Sequence, residues 1–255
     1  MARKHARNRA VSRPAPRLGP RFGQRDNPRR RFWLRVLGAL VLLGMVGGGI
    51  AWWSLQQWAP PRHSWPVQGA LVDSSDGEVD FTALKAIGAD FAYVEASASA
   101  NSRDPAVVKN LDAARAAGLK VGAVHKYDPC QPADKQAANF VTVVPRDKRL
   151  LPPAVELEQL ADDCLVKVND AAVVSELMTF LNQIETHTDK PAILKLGAGF
   201  EAKYHVAGAL DRPLWLTRDW MQPDYGGRPW ALWTANSAHS TSASDRPLRW
   251  VVVQR

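Results

Sequence analysis

The sequence predicts an α/β protein: an irregular (β/α) TIM-like barrel of about eight strands, preceded by a disordered basic tail and one transmembrane helix. Three observations carry this expectation. From about Val67 onward, short apolar runs alternate with helical stretches, the pattern of parallel strands in βα units. Runs such as AILKL and VGAV are apolar nearly throughout, as strands covered on both faces are. Charge is segregated: residues 1–35 hold twelve Lys or Arg and one acid, whereas the remainder holds 21 basic and 24 acidic residues.

In chain order, the Pro- and Arg-rich segment 1–35 has no periodicity and reads as a disordered cytoplasmic tail. A basic patch on a fold would point to nucleic acid, but charge confined to such a tail does not, and no nucleic-acid partner is expected. Residues 36–53, VLGALVLLGMVGGGIAWW, carry no charge and approach the length that crosses a hydrocarbon core. Arg29, Arg30, Arg31 and Arg35 flank one end, and Trp52, Trp53 and Trp58 the other. Arginines on the inner side and an aromatic belt on the outer side place the N-terminus in the cytoplasm. A cleaved signal peptide fits less well, because AWWSLQQW lacks a small-x-small cleavage site. A buried soluble helix fits less well too, because Gly47–Gly49 would weaken it in water. The implied location is a membrane crossed once, with the cytoplasmic tail near anionic lipid headgroups and the rest of the chain outside.

Residues 54–66 read as a linker, and 67–255 as the barrel. Val67–Val72 reads as a strand, Phe81–Ile87 as a helix closed by Gly88, and Phe91–Ala96 as a strand. Pro105–Ala117 is a helix with Gly118 as its C-cap, Leu119–His125 a strand, and Ala133–Val144 a helix. Strands follow at Ala154–Glu158, Ala192–Leu196, Leu214–Thr217, Trp230–Thr234 and Trp250–Val253, with the helix Ala171–His187 between the first two. An open doubly wound sheet is the alternative, but no strand is followed by a glycine-rich phosphate fingerprint. No cofactor or metal is implied. Two cysteines without a neighbouring His cluster do not make a zinc site. Cys130 and Cys164 follow strands that neighbour each other in a barrel, so in an oxidising compartment they are expected to pair, the alternative being two buried thiols.

In a parallel barrel the active site lies at the C-terminal ends of the strands. The polar residues ending strands there are Asp73, Glu95, His125, Glu156, Glu158, Lys195, Arg218 and Thr234. Glu156 and Glu158 are two apart, so both side chains face the same way. Paired carboxylates in a barrel mouth raise at least one pKa by repulsion and desolvation, and glycoside hydrolysis needs such a protonated group beside a second carboxylate. The same pattern also fits a polar strand end paired with Lys or Arg.

From Gly69 to near the C-terminus the sequence resembles glycoside hydrolase family 25, the Chalaropsis-type lysozymes. GALVDSSDGEVDFTALKAIGADFAYVEAS stands where that family has its opening Gly-Ile-Asp-Val-Ser-Ser strand and Ile-Asp-Phe/Trp helix start. DPAVVKNLDAARAAGLKVGAVH, KQAANFVTVV, LPPAVELE, KPAILKLG, RPLWLTR and WALWT follow in the family's order. The resemblance implies a peptidoglycan muramidase. Its Asp-x-Glu motif falls on Glu156 and Glu158, so Glu158 takes the general-acid position. The family's first-strand Asp falls on Leu71, with Asp73 two residues on and on the same face. The acid after the second strand falls near Ala98, the late Gln becomes Thr234, and RPLRWVV replaces the final Asp-Leu-Asn segment. These changes leave open a protein that binds peptidoglycan glycan strands without cutting them. The catalytic set expected is Glu158, Glu156 and Asp73. Substrate contacts are expected from His125, Tyr127, Trp215, Trp233, Lys195 and Arg218, with core packing the alternative for His125 and the tryptophans and carboxylate neutralisation the alternative for Lys195 and Arg218.

Overall fold

The computed structural model describes residues 28–254. It divides into two units, Met1–Gly49 and Ile50–Arg255. Of the expected basic tail, residues 1–27 lie outside the described residues. Helix α1 runs Pro28–Gln56, beginning and ending beyond the apolar run alone. Proline suits a first helical position, where its missing N–H is not needed. The stretch Arg31–Gln56 is long and apolar enough to cross a membrane by length and composition.

The second unit is a closed barrel. Its strands are β1 (Gln68–Val72), β2 (Phe91–Ala98), β3 (Ser102–Arg103), β4 (Lys120–Lys126), β5 (Ala154–Leu157), β6 (Ile193–Leu196), β7 (Leu214–Thr217), β8 (Leu232–His239) and β9 (Leu248–Val253). They are ordered β1-β9-β8-β7-β6-β5-β4-β2-β3, and a further β1–β2 pairing closes the ring. The two-residue β3 is a hairpin edge on β2 and stands outside the ring. Parallel pairing runs from β1 through β2 and β4 to β8, whereas β9 is antiparallel to both β8 and β1. The irregular end expected from the sequence is therefore β9. Helices α2 (Phe81–Ala86), α3 (Val107–Ala116), α4 (Ala133–Val143), α5 (Asp170–Thr188), α6 (Ala198–Tyr204) and α7 (Val206–Ala209) cover the earlier strands.

Side-chain alternation sorts each strand into two cores. Leu71, Phe91, Tyr93, Val124, Ala154, Ile193, Trp215, Leu232 and Val251 fill the barrel interior. Their neighbours, such as Val72, Val94, Val155, Leu194 and Leu216, face the helices with Phe140, Leu177, Phe180 and Ile184. Interior rings fit only because other inward positions are small. A Cβ on Gly122 would stand 2.3 Å from the Tyr93 ring, and one on Gly69 would stand 2.3 Å from the Phe91 carbonyl oxygen.

No helix joins β7 to β8 or β8 to β9, so the outer face of these strands needs another cover. Residues 57–66 supply it and do not form a free linker. Trp65 stacks on Trp230 at 5.5 Å and meets Trp233 edge-on at 5.6 Å, and Trp58 lies 6.4 Å from Trp233. Trp58 thus packs on the barrel, while Trp52 and Trp53 of α1 are exposed. The last carbonyls of a helix lack intrahelical partners. Those of Leu55 and Gln56 accept from Asn236 Nδ2, at 3.0 and 3.4 Å, and Leu55 also accepts from Trp220 Nε1, at 3.2 Å.

Candidate active site

The next inward position along each strand, above the apolar interior, is charged or polar. Asp73 follows β1, Glu95 lies on β2, Lys126 on β4, Glu156 on β5, Lys195 on β6, Thr234 on β8 and Arg249 on β9. Because β9 runs antiparallel, its beginning lies at the end where the other strands finish. These side chains form a network across the mouth. Lys195 Nζ contacts Glu156 at 2.9 Å and Glu158 at 3.3 Å. Lys126 Nζ contacts Glu95 at 2.6 Å. Arg249 Nη2 contacts Asp73 and Asp76, each at 2.9 Å.

The protonation states follow from burial set against these partners. Burial alone would raise Asp73, but the Ser75 hydroxyl, Arg249 and the Ser75 amide hold its carboxyl below the ordinary value. Burial wins at Asp76, which is raised although Arg249 and the Asp73 amide act against it. It also wins at Glu95, raised despite Lys126, with Asp73 and Glu156 adding repulsion. Lys126 is raised: burial lowers it, but Glu95, Glu156 and Asp73 outweigh burial. Three cations therefore face five carboxylates, which leaves the mouth acidic.

Beside Glu156 and Glu158 opens a cavity of about 200 Å³, walled by Ala98–Ser99, Lys126–Asp128 and Gln159. The two glutamates differ in access. The Glu156 side chain is 11% exposed and the Glu158 side chain 57%. Gly197, after β6, leaves room for this strand end, since a Cβ there would stand 3.0 Å from the Leu157 carbonyl oxygen and 3.1 Å from Glu158 Cγ. The loops beside the pair are fixed. Cys130 and Cys164 form a disulfide, as expected. Asp128, on the opposite wall, accepts from Ser99 Oγ at 2.8 Å, the Cys130 amide at 2.8 Å and Gln159 Nε2 at 3.1 Å.

Of the residues expected at the site, Glu156, Glu158 and Lys195 come together, and Asp73 joins the same mouth through Arg249. Tyr127 borders the cavity, but its ring packs on Phe180 and its buried hydroxyl has no hydrogen-bond partner among the described residues. Three expectations of substrate contact are corrected. His125 is fully buried on the outward face of β4, between Ser97 and Gln136. Trp215 is fully buried inside the barrel and donates to Thr234 Oγ1 at 2.8 Å. Trp233 faces outward against Trp58 and Trp65. Arg218 pairs with Asp224 at 2.9 Å and not with the glutamates, so the alternative of carboxylate neutralisation at Glu156 and Glu158 does not hold for it. Asp76, Lys126, Asp128 and Arg249 were not singled out from the sequence. Strand alternation marks Lys126, but Arg249 needs the reversed direction of β9. No group of His, Cys, Asp and Glu fit to hold a metal occurs among the described residues.

Carboxylates gathered at the C-terminal mouth of a closed α/β barrel define the class: a barrel with an acidic pocket at the end where such folds carry their sites. More particularly, the chain belongs to the glycosyl hydrolases family 25, matched over residues 72–242. It is 27% identical over 162 residues to the uncharacterized protein YegX of Escherichia coli K12, a match covering 62% of this chain and 57% of YegX. The chain thus spans a little over half the length of that curated relative. The fold is similar to that of a family 25 glycosyl hydrolase from Bacillus anthracis, with TM-score 0.70, 23% identity, and coverage of 77% of this chain and 92% of that one. It is also similar to a bacterial lysozyme from Streptomyces coelicolor, with TM-score 0.65, 20% identity, and coverage of 74% and 92%.

Proposed function

We propose that this protein is a peptidoglycan muramidase, held by α1 in a bacterial cytoplasmic membrane with its barrel outside. It cuts the β-1,4 bond between N-acetylmuramic acid and N-acetylglucosamine. The observation that carries the reading is the unequal glutamate pair, in which Glu158 reaches into an open cavity beside a buried, lysine-bound Glu156. Family membership and the likeness to a bacterial lysozyme support it.

In this reading Glu158 is the general acid that protonates the leaving glycosidic oxygen. Positive charge then develops on the sugar, and the neighbouring Glu156 carboxylate stabilises it. Asp73 is pinned by Arg249 and the Ser75 hydroxyl, so it acts through its field and not as a mobile base. Lys195, between the two glutamates, keeps the pair compact. Tethering confines cleavage to wall close to the membrane. The juxtamembrane arginines lie against anionic headgroups.

A second reading, a wall-binding protein without turnover, is favoured by one observation: both glutamates and Asp73 are ion-paired. The test is digestion of purified peptidoglycan by the full chain in detergent, beside Glu158→Gln, with the products read by mass spectrometry. The muramidase reading predicts new reducing N-acetylmuramic acid ends from the wild type and a loss of at least ~10²-fold in the variant, as expected for a missing general acid. Folded wild type that sediments with the wall and yields no new ends would establish the second reading.

A further inference from the structure

Next to the glutamate cavity lies a second depression, of about 530 Å³, whose lining is polar. Its side chains include Asn101, Arg103, Gln131, Lys135 and Asn139, and no carboxylate lines it. The β2–β3 hairpin is the wall between the two. Ala98 and Ser99 border the glutamate cavity, and Ala100, Asn101 and Arg103 border the depression.

The arginine in this wall is built in. Asn139, on α4, is 4% exposed. Its Nδ2 lies within hydrogen-bond distance of the carbonyls of Ser102 at 2.8 Å, Ser99 at 3.2 Å and Ala98 at 3.4 Å, which ties the hairpin to α4. Its Oδ1 accepts from Arg103 Nε at 3.0 Å. One buried amide therefore fixes both the hairpin and the guanidinium. The terminal nitrogens of Arg103 have no hydrogen-bond partner among the described residues, and Lys135 has no ion-pair partner among them. A preoriented guanidinium fork with a nearby ammonium and no competing acid is matched to carboxylate.

We infer that this depression is a subsite for a carboxylate-bearing peptide, with Arg103 and Lys135 as its carboxylate contacts. The inference rests on the glycan reading above. N-acetylmuramic acid carries a peptide with free carboxylates on its lactyl group. With the sugar chain at Glu158, that peptide crosses the hairpin into the depression. The subsite favours glycan that still bears its peptides over stripped glycan.

The test compares two preparations of soluble glycan strands, one with intact peptides and one stripped by an amidase, using the full chain in detergent. Wild type, Arg103→Ala, Arg103→Lys and Lys135→Ala are assayed for cleavage and, separately, for binding by calorimetry. Arg103→Ala is expected to lower kcat/KM on peptide-bearing strands by about tenfold or more, mainly through KM, as loss of a charge-assisted contact does. Its activity on stripped strands stays at the wild-type level. Arg103→Lys recovers part of the loss, since lysine keeps the charge without the fork. Equal losses on both preparations, or none on peptide-bearing strands, would overturn the subsite. If nothing is cleaved but wild type binds peptide-bearing strands more tightly and Arg103→Ala erases that preference, the hydrolase reading fails and the subsite stands. If the preparations are bound alike, the subsite fails by itself.

Discussion

His125 has both ring nitrogens engaged and no access to solvent. Gln136 Nε2 donates to the carbonyls of Asp128 and Gln131, so its Oε1 faces the ring and accepts from His125 Nε2. Nδ1 is left to accept from the Ser97 hydroxyl, which requires a neutral imidazole. Burial accordingly lowers the pKa from 6.5 to about 4, against the opposing pull of Gln136 and Asp128. Between those values the unfolded chain binds more protons than the folded one. Stability is complete above pH 6.5 and falls as pH drops towards 4, by about 3 kcal/mol in all from this residue. His239, also lowered by burial, adds a contribution of the same sign. Glu95 and Asp76 are raised and contribute the opposite slope, from their ordinary values upward and so against the histidines in the same acid range. We expect His125→Gln to flatten the decline in thermal midpoint between about pH 6.5 and 4; an unchanged decline would show that the ring is not held neutral. The glutamate pair was legible in the sequence, because two-residue spacing and strand order place Glu156, Glu158 and Lys195 together. The burial of His125 was not. A polar residue at a strand end faces inward or outward by parity, and the one-residue step from Lys126 decides it.

The strap of residues 57–66 does the work of an absent helix, and its removal should be measurable. Asn236 is 1% exposed, and its amide nitrogen donates to the carbonyls of Leu55, Gln56 and Trp58. A fragment beginning at Ser64 loses all three acceptors together with the Trp58–Trp233 contact, whereas one beginning at Ile50 keeps them. An unsatisfied buried amide alone costs roughly 1–3 kcal/mol. The shorter fragment should therefore melt several degrees lower, as read by tryptophan fluorescence; equal midpoints would mean that the strap covers the barrel without stabilising it. Most strands and the longer helices α3, α4 and α5 were legible, since their apolar spacing is set by packing on a sheet. The strap and the short α6 and α7 were not. SLQQWAPPRHSWP has no period, and its tryptophans fit a membrane interface as well as a protein surface, until β8 and β9 are seen to lack a helical cover. The end of α1 was read short for a related reason: SLQ is polar, but its last carbonyls find donors on Trp220 and Asn236.

For the molecule as a whole, the asymmetry of charge makes the proposed membrane topology testable. Twelve of the 33 basic residues lie in the first 35 positions, and the remaining 220 hold more acids than bases. Among the described residues of the first unit, the side chains of Leu37, Leu40, Val41 and Leu43 are exposed. A helix with so much apolar surface open to water is destabilised by it, and hydrocarbon removes that cost. Arginines resist transfer across a bilayer and gain roughly 1 kcal/mol each near an anionic leaflet, so the proposed anchoring predicts a tail that stays where it is made and a barrel that crosses. The full chain should therefore sediment with membranes, resist extraction by high salt and dissolve in detergent. Protease added to spheroplasts should digest the barrel and leave a protected fragment containing Arg29–Arg31. Replacing Arg29, Arg30, Arg31 and Arg35 with neutral residues should reduce the fraction of barrels accessible from outside. Release by salt would mean that α1 does not span, and a mature N-terminus beginning after Trp53 would mean that it is a cleaved signal. In either of those cases the barrel is free to diffuse through the wall, and confinement of cleavage to wall near the membrane no longer follows.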